Sequence, residues 1–380
     1  MKKLDIVIGL PSRNEADSIG NVVRIIDKSL TNNFPQLNAL LYNIDSGSDD
    51  ATREVFELTE TTTQKKSYNT NKTGKGHNLL HLFKFALDNA IPYICTFDTD
   101  LTSITEEWVV KVLTPLINGE ADYVVPVYGR NKYEANTTNH FCYPILAAHY
   151  GTPIRQPYAG DFGLNLNVVK YLLNQSIFEP IYQYGIDIWM TTHSVGGNFT
   201  IKEVYLGKKI HKPSFPKMVP MFGQAAATMF KNISEYKDFQ PRTNNLLMES
   251  SVYRHGVDDF VRKPSDFEIA ERTETALSIL EERKARKGCI HELIIELDEE
   301  VKQNNHISAK SWSKYLAEAI KFAQTDALSD KEYIEFGIDF TPFYLLRVLS
   351  FFKEVENIEA SQVDQIINSE VEYLKDYLNG

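Results

Sequence analysis

Cysteine is scarce in this sequence. The chain of 380 residues contains three cysteines, Cys95, Cys142 and Cys289, which lie far apart and form no CxxC or Cys/His ligand pattern. An odd number of widely spaced cysteines does not fit a disulfide framework. The sequence therefore predicts neither a disulfide-stabilised fold nor a cysteine-based metal site.

Long apolar runs and an excess of positive charge are also missing. No segment approaches the roughly 20 apolar residues that a membrane-spanning helix requires. The short apolar run near the first residue reaches Arg13 and Glu15 too soon for a secretion signal. The formal charge of −11 argues against binding to nucleic acid or to an anionic membrane. We therefore expect a cytoplasmic protein with no membrane span and no nucleic-acid partner.

The first two hundred residues alternate between strand and helix signals. Short apolar runs at 4–10, 39–45, 92–98 and 121–128 predict strands, and helical spacing of apolar residues follows them at 16–30, after Gly76 and at 105–117. Pro126 favours an edge position for the last strand. Repeated strand–helix units predict an α/β fold with a mainly parallel sheet flanked by helices.

Beyond about residue 215 the pattern becomes helical. Helical periodicity covers residues 219–236, 265–287, 289–303, 308–324 and 341–379. The sequence thus predicts a domain at 1–215 and a helical C-terminal region at 216–380. We expect the helical region to pack on the acceptor side of the first domain or to form a homodimer.

Polar clusters directly follow three of the predicted strands. They are Pro-Ser-Arg-Asn-Glu (11–15), Asp-Ser-Gly-Ser-Asp-Asp (45–50) and Asp-Thr-Asp (98–100). Parallel sheets bind ligands at the carboxyl ends of their strands. Three separate loops are therefore predicted to meet at one edge of the sheet, which makes this edge the candidate site.

Asp98 and Asp100 allow more than one interpretation. Two carboxylates at a strand end suit Mg²⁺ or Mn²⁺, which would take further oxygen ligands from a diphosphate. Aspartate at such a position also often caps the following turn. The sequence DTDLT fits the DxDxT pattern of aspartyl phosphatases as well, in which Asp98 would be the nucleophile and Asp100 the general acid. That pattern normally follows the first strand of its fold, whereas here it follows two complete strand–helix units.

Taken in order, the motifs resemble those of the GT-A-fold glycosyltransferases that use nucleotide sugars. Gly74-Lys75-Gly76 stands between the second and third polar clusters, as in that family. Three later motifs look like the retaining subgroup that contains glucosyl-3-phosphoglycerate synthase and mannosylglycerate synthase: Gln156-Pro157-Tyr158-Ala159-Gly160-Asp161, Tyr184-Gly185-Ile186-Asp187 and Lys209-Ile210-His211-Lys212. The likeness covers about residues 5–215.

The resemblance implies a nucleotide-sugar donor site. Glu15 would accept a hydrogen bond from a ribose hydroxyl, and Asp45 would bond the base. Gly74 would permit close backbone approach, and Lys75 would supply a cation near the nucleotide. The implied donor-binding set is Pro11, Glu15, Asp45, Gly74, Lys75, Asp98 and Thr99.

The resemblance also implies metal, catalytic and acceptor residues. Asp100 and His211 would bind Mg²⁺ or Mn²⁺, and Asp98 and Asp187 would face the reacting sugar as catalytic residues. The implied acceptor-binding residues are Arg130, Gln156, Gly160 and Asp161. Asp161 stands where the family usually has glutamate, one methylene longer. The segment after Arg130 does not clearly match the motif of phosphoglycerate-using members.

The function implied is transfer of a hexose, with retention, from a nucleoside diphosphate sugar to a small acidic acceptor. UDP-glucose is the favoured donor and GDP-mannose the second. The favoured acceptor is 3-phosphoglycerate or glycerate. Two alternatives stay open, an aspartyl phosphatase and a non-catalytic protein that binds nucleotide sugars.

Overall fold

The computed structural model of the protein describes residues 3–212, 218–239, 245–247, 263–304, 306–325 and 328–380. The chain divides into two compact units, one formed by residues 1–128, 159–214 and 242–253 and the other by residues 129–158, 215–241 and 254–380. Residues 129–158 thus group with the later helices. The predicted domains 1–215 and 216–380, and the predicted homodimer, stay predictions.

The first unit is built on one sheet. Its strands, numbered in chain order, are β1 (Ile6–Ser12), β2 (Ala39–Asp45), β3 (Gln64–Asn69), β4 (Tyr93–Thr96), β5 (Tyr123–Gly129), β6 (Gly163–Asn165), β7 (Ile201–Lys208) and β8 (Leu246–Leu247). The order across the sheet is β3-β2-β1-β4-β6-β5-β7-β8. β1 pairs in parallel with β2 and with β4, whereas β6 is antiparallel to β4 and to β5. The predicted α/β fold with a mainly parallel sheet is confirmed.

Helices cover the sheet and make up most of the second unit. In chain order they are α1 (Ile19–Asn33), α2 (Thr52–Leu58), α3 (Lys75–Asp88), α4 (Glu106–Ile117), α5 (Tyr143–Ala148), α6 (Leu166–Leu173), α7 (Ile186–Gly196), α8 (Met218–Glu235), α9 (Asp266–Arg286), α10 (His291–Asn304), α11 (Ala309–Thr325), α12 (Asp330–Asp339), α13 (Thr341–Glu354) and α14 (Ala360–Asn379). A π-helical turn at Thr138–Cys142 precedes α5, and a 3₁₀ turn at Glu179–Tyr182 precedes α7.

The core of the first unit follows from the apolar pattern of β1, β2 and α1. Every residue of β1 and β2 is buried, as expected for strands covered on both faces. The helically spaced apolar residues of α1 face the same core, and the largest buried residues of α4 join them. This packing fixes β1, β2 and β4 side by side, so their carboxyl ends lie at one edge.

The edge position predicted for the strand around Pro126 is wrong. β5 lies between β6 and β7 in the sheet, not at an edge. β5 pairs with β6 at Tyr123 and Val124, which precede the proline. Since proline lacks only its own N–H, it is tolerated in an interior strand beyond the last residue that pairs with β6.

The second unit has an aromatic core and a buried charged cluster. Phe230 stacks on Phe336 and Phe222 stacks on Tyr344, which joins α8 to α12 and α13. Arg347 of α13 is fully buried and contacts Glu370 of α14. Among the described residues, no helix is long and apolar enough to cross a membrane.

Candidate active site

The candidate site lies where β1, β2 and β4 end. In the sheet register Ser12 of β1 is opposite Asp45 of β2, and Gly9 of β1 is opposite Thr96 of β4. The loops that follow these strands therefore begin at one edge of the sheet. The structure thus brings together the three polar clusters singled out in the sequence.

These loops are joined by hydrogen bonds. The Glu15 backbone N–H donates to Thr52 Oγ1 at 2.7 Å, and the Thr99 hydroxyl donates to the Pro11 carbonyl at 2.9 Å. Glu15 Oε2 lies 2.8 Å from Lys212 Nζ, so the loop after β7 is attached to the same rim. Pro11, Glu15 and Thr99 are therefore neighbours, as a shared donor site requires, and their donor-binding roles stay predictions.

Asp45 holds its own loop in shape. Its Oδ1 accepts from the backbone N–H groups of Gly47 and Ser48 at 2.9 and 2.8 Å. Its Oδ2 accepts from the hydroxyls of Ser48 and Ser12 at 2.5 and 3.3 Å. Asp45 is fully buried, and these four bonds use the acceptor capacity of a carboxylate. The predicted contact between Asp45 and the base stays a prediction.

Asp98 lies at the centre of a buried ion-pair cluster. Lys75 Nζ is 3.1 Å from Asp98 Oδ1, and Lys209 Nζ is 2.9 Å from Asp98 Oδ2. Lys75 Nζ is also 3.1 Å from Asp187 Oδ2. Lys75 begins α3, Lys209 follows β7 and Asp187 lies in the first turn of α7. Three distant parts of the chain therefore meet near Asp98, two residues after the end of β4.

Burial and these lysines shift the pKa values in opposite directions. Burial opposes ionisation of Asp98, but Lys209 and Lys75 together outweigh it and hold its pKa well below the usual range. Burial raises the pKa of Asp187 to about 6 because Lys75, which it shares with Asp98, only partly compensates. The pKa of Lys75 is raised since Asp187 and Asp98 outweigh its burial. In this pair the charged form of Lys75 is favoured and that of Asp187 is disfavoured, because among the described residues Lys75 contacts two carboxylates and Asp187 contacts one lysine.

Gly74 and Gly76 allow another part of the chain to approach. A Cβ on Gly76 would lie 1.8 Å from the carbonyl oxygen of Ile181, and one on Gly74 would lie 2.3 Å from that of Tyr182. The Gly76 N–H also donates to the Gln183 carbonyl at 3.1 Å. The close approach predicted at Gly74 is therefore made by residues 181–183 of the protein itself.

The segment 181–183 leads into α7 and places Asp187 beside Lys75. Asp187 is buried, and its Oδ1 has no hydrogen-bond partner among the residues that the structure describes. A buried carboxylate oxygen without a donor is unfavourable unless a ligand supplies one. Asp187 is therefore suited to accept a hydrogen bond from a bound molecule.

The motif that ends in Gly160-Asp161 contributes to the same cluster. A Cβ on Gly160 would lie 2.1 Å from Asp98 Oδ2, so only glycine leaves room for this carboxylate. Asp161 is fully buried, and its Oδ2 lies 2.7 Å from Lys209 Nζ. The other two residues of the predicted acceptor set, Arg130 and Gln156, belong to the second compact unit.

Asp100 and His211 lie near each other. Asp100 Oδ2 is 3.9 Å from His211 Nδ1. The loop of His211 is attached to the loop of Asp100, because the Thr102 N–H donates to the Ile210 carbonyl at 3.0 Å. No group of three or more His, Cys, Asp or Glu side chains that could hold a metal ion occurs within the described ranges. A metal held here would therefore need ligands besides the protein.

The charges around Asp100 fit a bound cation. The pKa of Asp100 is raised to about 6, first by burial and then by the nearby Asp98 carboxylate. Lys209 partly offsets this, and Glu15 and Asp161 make smaller contributions that raise the pKa. Among the described residues, no lysine lies within ion-pair distance of Asp100, whereas two do so for Asp98. Carboxylate and imidazole groups are ligands that Mn²⁺ and Mg²⁺ accept together with oxygens of a substrate.

Sequence reasoning missed the roles of Lys209, Tyr128 and Thr96. The Tyr128 hydroxyl donates to Asp161 Oδ2, and the Thr96 hydroxyl donates to the Gly160 carbonyl at 2.9 Å. Lys209 is part of the sequence motif around His211, which indicated that it lies near the site. Nothing in the sequence indicated its ion pairs with Asp98 and Asp161. Tyr128 and Thr96 lie within apolar strand patterns, which gave no indication of these contacts.

Comparison with known proteins agrees with this geometry. Residues 7–160 match the family described as glycosyl transferase family 2. Glucosyl-3-phosphoglycerate synthase of Petrotoga mobilis (strain DSM 10674 / SJ95) is 26% identical over 238 residues, which span 55% of this chain and 68% of that protein. The predicted resemblance to glycosyltransferases of the GT-A fold is confirmed by these matches.

Two solved structures are similar to part of this chain. A mycobacterial protein superimposes with a TM-score of 0.50 at 23% identity, covering 60% of this chain and 74% of that chain. Glucosyl-3-phosphoglycerate synthase from Mycobacterium tuberculosis, crystallised with Mn²⁺, UDP-glucose and phosphoglyceric acid, superimposes with a TM-score of 0.49 at 22% identity, covering 60% and 79% of the two chains. At these identities the likeness concerns the fold alone.

Proposed function

On the premise that residues 7–160 form a glycosyl transferase family 2 domain, we propose that this protein moves a hexose from a nucleoside diphosphate sugar to a small acidic acceptor. UDP-glucose is the donor of first choice and GDP-mannose the second. The acceptor of first choice is 3-phosphoglycerate, with glycerate next. The name of the Petrotoga mobilis relative supports the first donor sugar and the first acceptor.

The unpartnered oxygen of Asp187 is the observation that carries the proposal. It lies in a buried cluster at the ends of the strands, beside the lysine that also holds Asp98. A sugar hydroxyl could donate the hydrogen bond that this oxygen lacks among the described residues. Asp187 and Asp98 would orient the transferred sugar as the catalytic carboxylates, and Lys75 would keep both ionised.

In the transfer itself, the bond between the anomeric carbon and the diphosphate oxygen breaks and a bond to the acceptor oxygen forms. The hydroxyl proton of the acceptor leaves with the nucleoside diphosphate or to solvent. Lys75 and Lys209 are paired with Asp98, Asp187 and Asp161, so the positive charge beside the departing diphosphate would come from the proposed cation. Retention, which the resemblance implies, requires the acceptor to attack from the face that the diphosphate leaves.

Mg²⁺ or Mn²⁺ is the proposed cofactor, with Asp100 and His211 as its protein ligands. When bound, the ion would neutralise charge on the leaving diphosphate as a Lewis acid. Asp100 is suited to the role because its carboxyl group has no lysine within ion-pair distance among the described residues, whereas both oxygens of Asp98 are engaged. Metal binding would also keep Asp100 deprotonated despite its raised pKa.

The pairing of Asp98 argues against the aspartyl-phosphatase alternative. A phosphatase nucleophile attacks phosphorus with a carboxylate oxygen, and ion pairing lowers the nucleophilicity of that oxygen. Here Lys75 holds one oxygen of Asp98 and Lys209 holds the other. The side chain of Asp98 is 21% exposed, so it can still accept a hydrogen bond from a ligand. The cluster is therefore better suited to orienting a ligand than to covalent catalysis.

Thermal-shift measurements with a panel of nucleotide sugars, with and without Mn²⁺, test the donor. Because a ligand that binds only the native state raises its stability, we expect UDP-glucose with Mn²⁺ to raise the melting temperature more than either alone. Turnover of UDP-glucose with 3-phosphoglycerate, followed by UDP release, tests the reaction. The proposal is refuted if the protein neither binds nor turns over any nucleotide sugar. Nucleotide binding without turnover would support the non-catalytic alternative, and a phosphorylated Asp98 would support the phosphatase.

Asp100→Ala tests the metal ligand. We expect a loss of turnover of about 100-fold or more, because Lewis-acid stabilisation of the diphosphate is worth several kcal/mol. Isothermal titration should also show weaker Mn²⁺ binding in the presence of UDP. Asp88→Ala, at the exposed end of α3, is the control and should behave like the wild type. Unchanged Mn²⁺ binding in Asp100→Ala would remove this residue from the metal site.

A further inference from the structure

We propose that Asp161 is a positioning residue that fixes Asp98 through Lys209 and through the Asp98 backbone, and that it does not bind the acceptor. The inference rests on the proposed glycosyl transfer and changes the role expected for Asp161 from its sequence motif. It concerns contacts within the first compact unit only.

The carboxylate of Asp161 is engaged on both oxygens. Oδ1 accepts from the Asp98 backbone N–H at 2.8 Å. Oδ2 accepts from Lys209 Nζ at 2.7 Å and from the Tyr128 hydroxyl. Asp161 has no exposed surface, so a ligand cannot reach it without displacing one of these donors.

The backbone around Asp161 is fixed just as firmly. The Thr96 hydroxyl donates to the Gly160 carbonyl at 2.9 Å and accepts from the Phe162 N–H at 3.1 Å. The Thr96 N–H also donates to the Phe162 carbonyl at 2.8 Å. Residues 160–162 are thus attached to the end of β4 immediately before Asp98, and Asp161 has little freedom to turn toward a ligand.

Lys209 transmits the position of Asp161 to the side chain of Asp98. Its ammonium group lies between the two carboxylates, 2.7 Å from Asp161 Oδ2 and 2.9 Å from Asp98 Oδ2. The ring of Tyr128 lies 4.9 Å from the same ammonium, so the lysine is confined on a further side. Asp161 therefore holds Asp98 in two ways. It accepts directly from the Asp98 backbone N–H, and it holds the Asp98 side chain through Lys209.

Charge also argues against contact between Asp161 and the acceptor. The proposed acceptor is an acid, and a phosphate or carboxylate is repelled by an ionised aspartate at contact distance. The positive charge beside Asp161 is that of Lys209, which is already shared between the carboxylates of Asp161 and Asp98. Asp161 is thus suited to hold Lys209 and Asp98 and poorly suited to attract an anion.

Steady-state kinetics of Asp161→Asn distinguish the two roles. If Asp161 positions Asp98, kcat should fall by about 100-fold while the KM for 3-phosphoglycerate stays within about twofold, since a 1 Å misplacement of a reacting group costs about this much. If Asp161 binds the acceptor, this KM should rise instead, and the inference would be refuted.

A double-mutant cycle tests the route through Lys209. Because the amide oxygen of asparagine can still accept from the Asp98 N–H, Asp161→Asn removes only the route through Lys209. The variant carrying both Asp161→Asn and Lys209→Met should therefore be no slower than Lys209→Met alone. Additive losses in kcat would contradict the inference. Tyr128→Phe removes only one hydroxyl from Asp161 and keeps the test open should Asp161→Asn fail to fold. It should lower kcat several-fold at an unchanged KM for the acceptor.

Asp122→Asn is the matched control. Asp122 also accepts from a backbone N–H and a side chain, those of Thr200 and Asn165, but contacts no lysine in the part of the chain that the structure describes. It precedes β5, away from the strand ends that carry the site. Its loss should lower the melting temperature without changing kcat.

The wild type is assayed alongside. A wild type without turnover refutes the proposed function and this inference with it, whereas an active wild type with a raised acceptor KM in Asp161→Asn refutes the inference alone.

Discussion

Asp98 and Asp100 are separated by a single residue, yet the surroundings of their carboxyl groups shift the two pKa values in opposite directions. Two lysines hold the pKa of Asp98 well below its usual range, although burial opposes this, whereas burial and Asp98 itself raise the pKa of Asp100 to about 6. The sequence pattern DxD treats the two residues alike. In the structure two lysines hold Asp98, whereas Asp100 is the proposed ligand of a bound cation.

At this scale the sequence was informative about which residues matter and less so about their contacts. Asp98, Lys75 and Asp187 were all predicted site residues, and the structure brings them within ion-pair distance. The motif could not show that the carboxylate of Asp45 is used by its own loop. Such contacts depend on side-chain directions in a folded loop, which residue types alone do not determine.

Asp187→Asn tests the carboxylate that lacks a hydrogen-bond donor. Below its pKa of about 6 Asp187 is protonated and uncharged, so kcat/KM for the donor should rise as the pH increases through about 6. The measurement is the rate as a function of pH at saturating Mn²⁺, which keeps Asp100 ionised. Asparagine should lower kcat/KM by about 10- to 100-fold, the value of a hydrogen bond to a charged group, and should abolish this rise.

The control for this profile is Asp122→Asn, which should keep the rise near pH 6. A variant Asp187→Asn that still showed the same rise would assign it to another group. An unchanged kcat/KM would mean that Asp187 contacts no substrate.

At the scale of elements, the site depends on how α3 and α7 approach each other. The first turn of α3 contains Gly76, against which the carbonyl of Ile181 packs, and this contact leads the chain into α7. The Gly-Lys-Gly motif therefore has a structural use that its nucleotide-binding interpretation did not include. A glycine contact with a segment more than a hundred residues away leaves no trace in local sequence patterns.

Gly76→Ala tests this contact. The added methyl group would lie 1.8 Å from the Ile181 carbonyl oxygen, so the segment 181–183 must move and carry Asp187 away from Lys75. We expect a loss of about 1–3 kcal/mol in the free energy of unfolding, as for other overpacked sites, and a fall in turnover. Urea unfolding and initial rates measure the two effects.

Gly223→Ala is the matched control, since it is also a glycine within a helix. A Cβ there meets nothing closer than 3.6 Å, and alanine is favoured over glycine in a helix by about 0.5–1 kcal/mol. This variant should be as stable as the wild type or more stable. Equal effects of the two substitutions would contradict the packing argument.

The elements that the sequence predicted well are those with a strong periodic signal. The strand predicted at 39–45 is β2, and the apolar residues of the helix predicted at 16–30 lie buried in α1. β3 was missed because its residues alternate between exposed and half-buried and are mostly polar, and β6 because it has three residues. The helical stretch predicted at 341–379 is two helices, α13 and α14, since the chain leaves the helix after Glu354.

For the molecule as a whole, the second compact unit depends on a buried charged cluster. Arg347 is fully buried and donates to Glu370 Oε1 at 2.8 Å and to Glu354 at 2.6 and 2.8 Å. His140 Nδ1 lies 2.9 Å from the same Glu370 oxygen. The cluster joins α13, α14 and the turn before α5, so the unit is held by ion pairs as well as by its aromatic core.

Glu370→Gln tests that cluster. The substitution weakens the contact of Glu370 with Arg347, which keeps its two bonds to Glu354, and losing a hydrogen bond to a charged group costs about 1.5–3 kcal/mol. The free energy of unfolding from urea titration should fall by this amount. Glu372→Gln, two residues away on the same helix, removes an exposed pair with Lys375 and should change it by no more than about 0.5 kcal/mol. Similar losses in the two variants would show that the buried cluster contributes no more to the free energy of unfolding than an exposed ion pair does.

The ion pairs of Lys75 and Lys209 also determine how the protein responds to chemical coupling. Amine-reactive reagents attack only the uncharged form of a lysine that they can reach. The side chains of Lys75 and Lys209 are 14% and 3% exposed, and the pKa of Lys75 is raised because two carboxylates outweigh its burial. Exposed lysines such as Lys28, at 67%, would react first. The protein could therefore be immobilised through its surface amines while both lysines at the strand ends keep their charge.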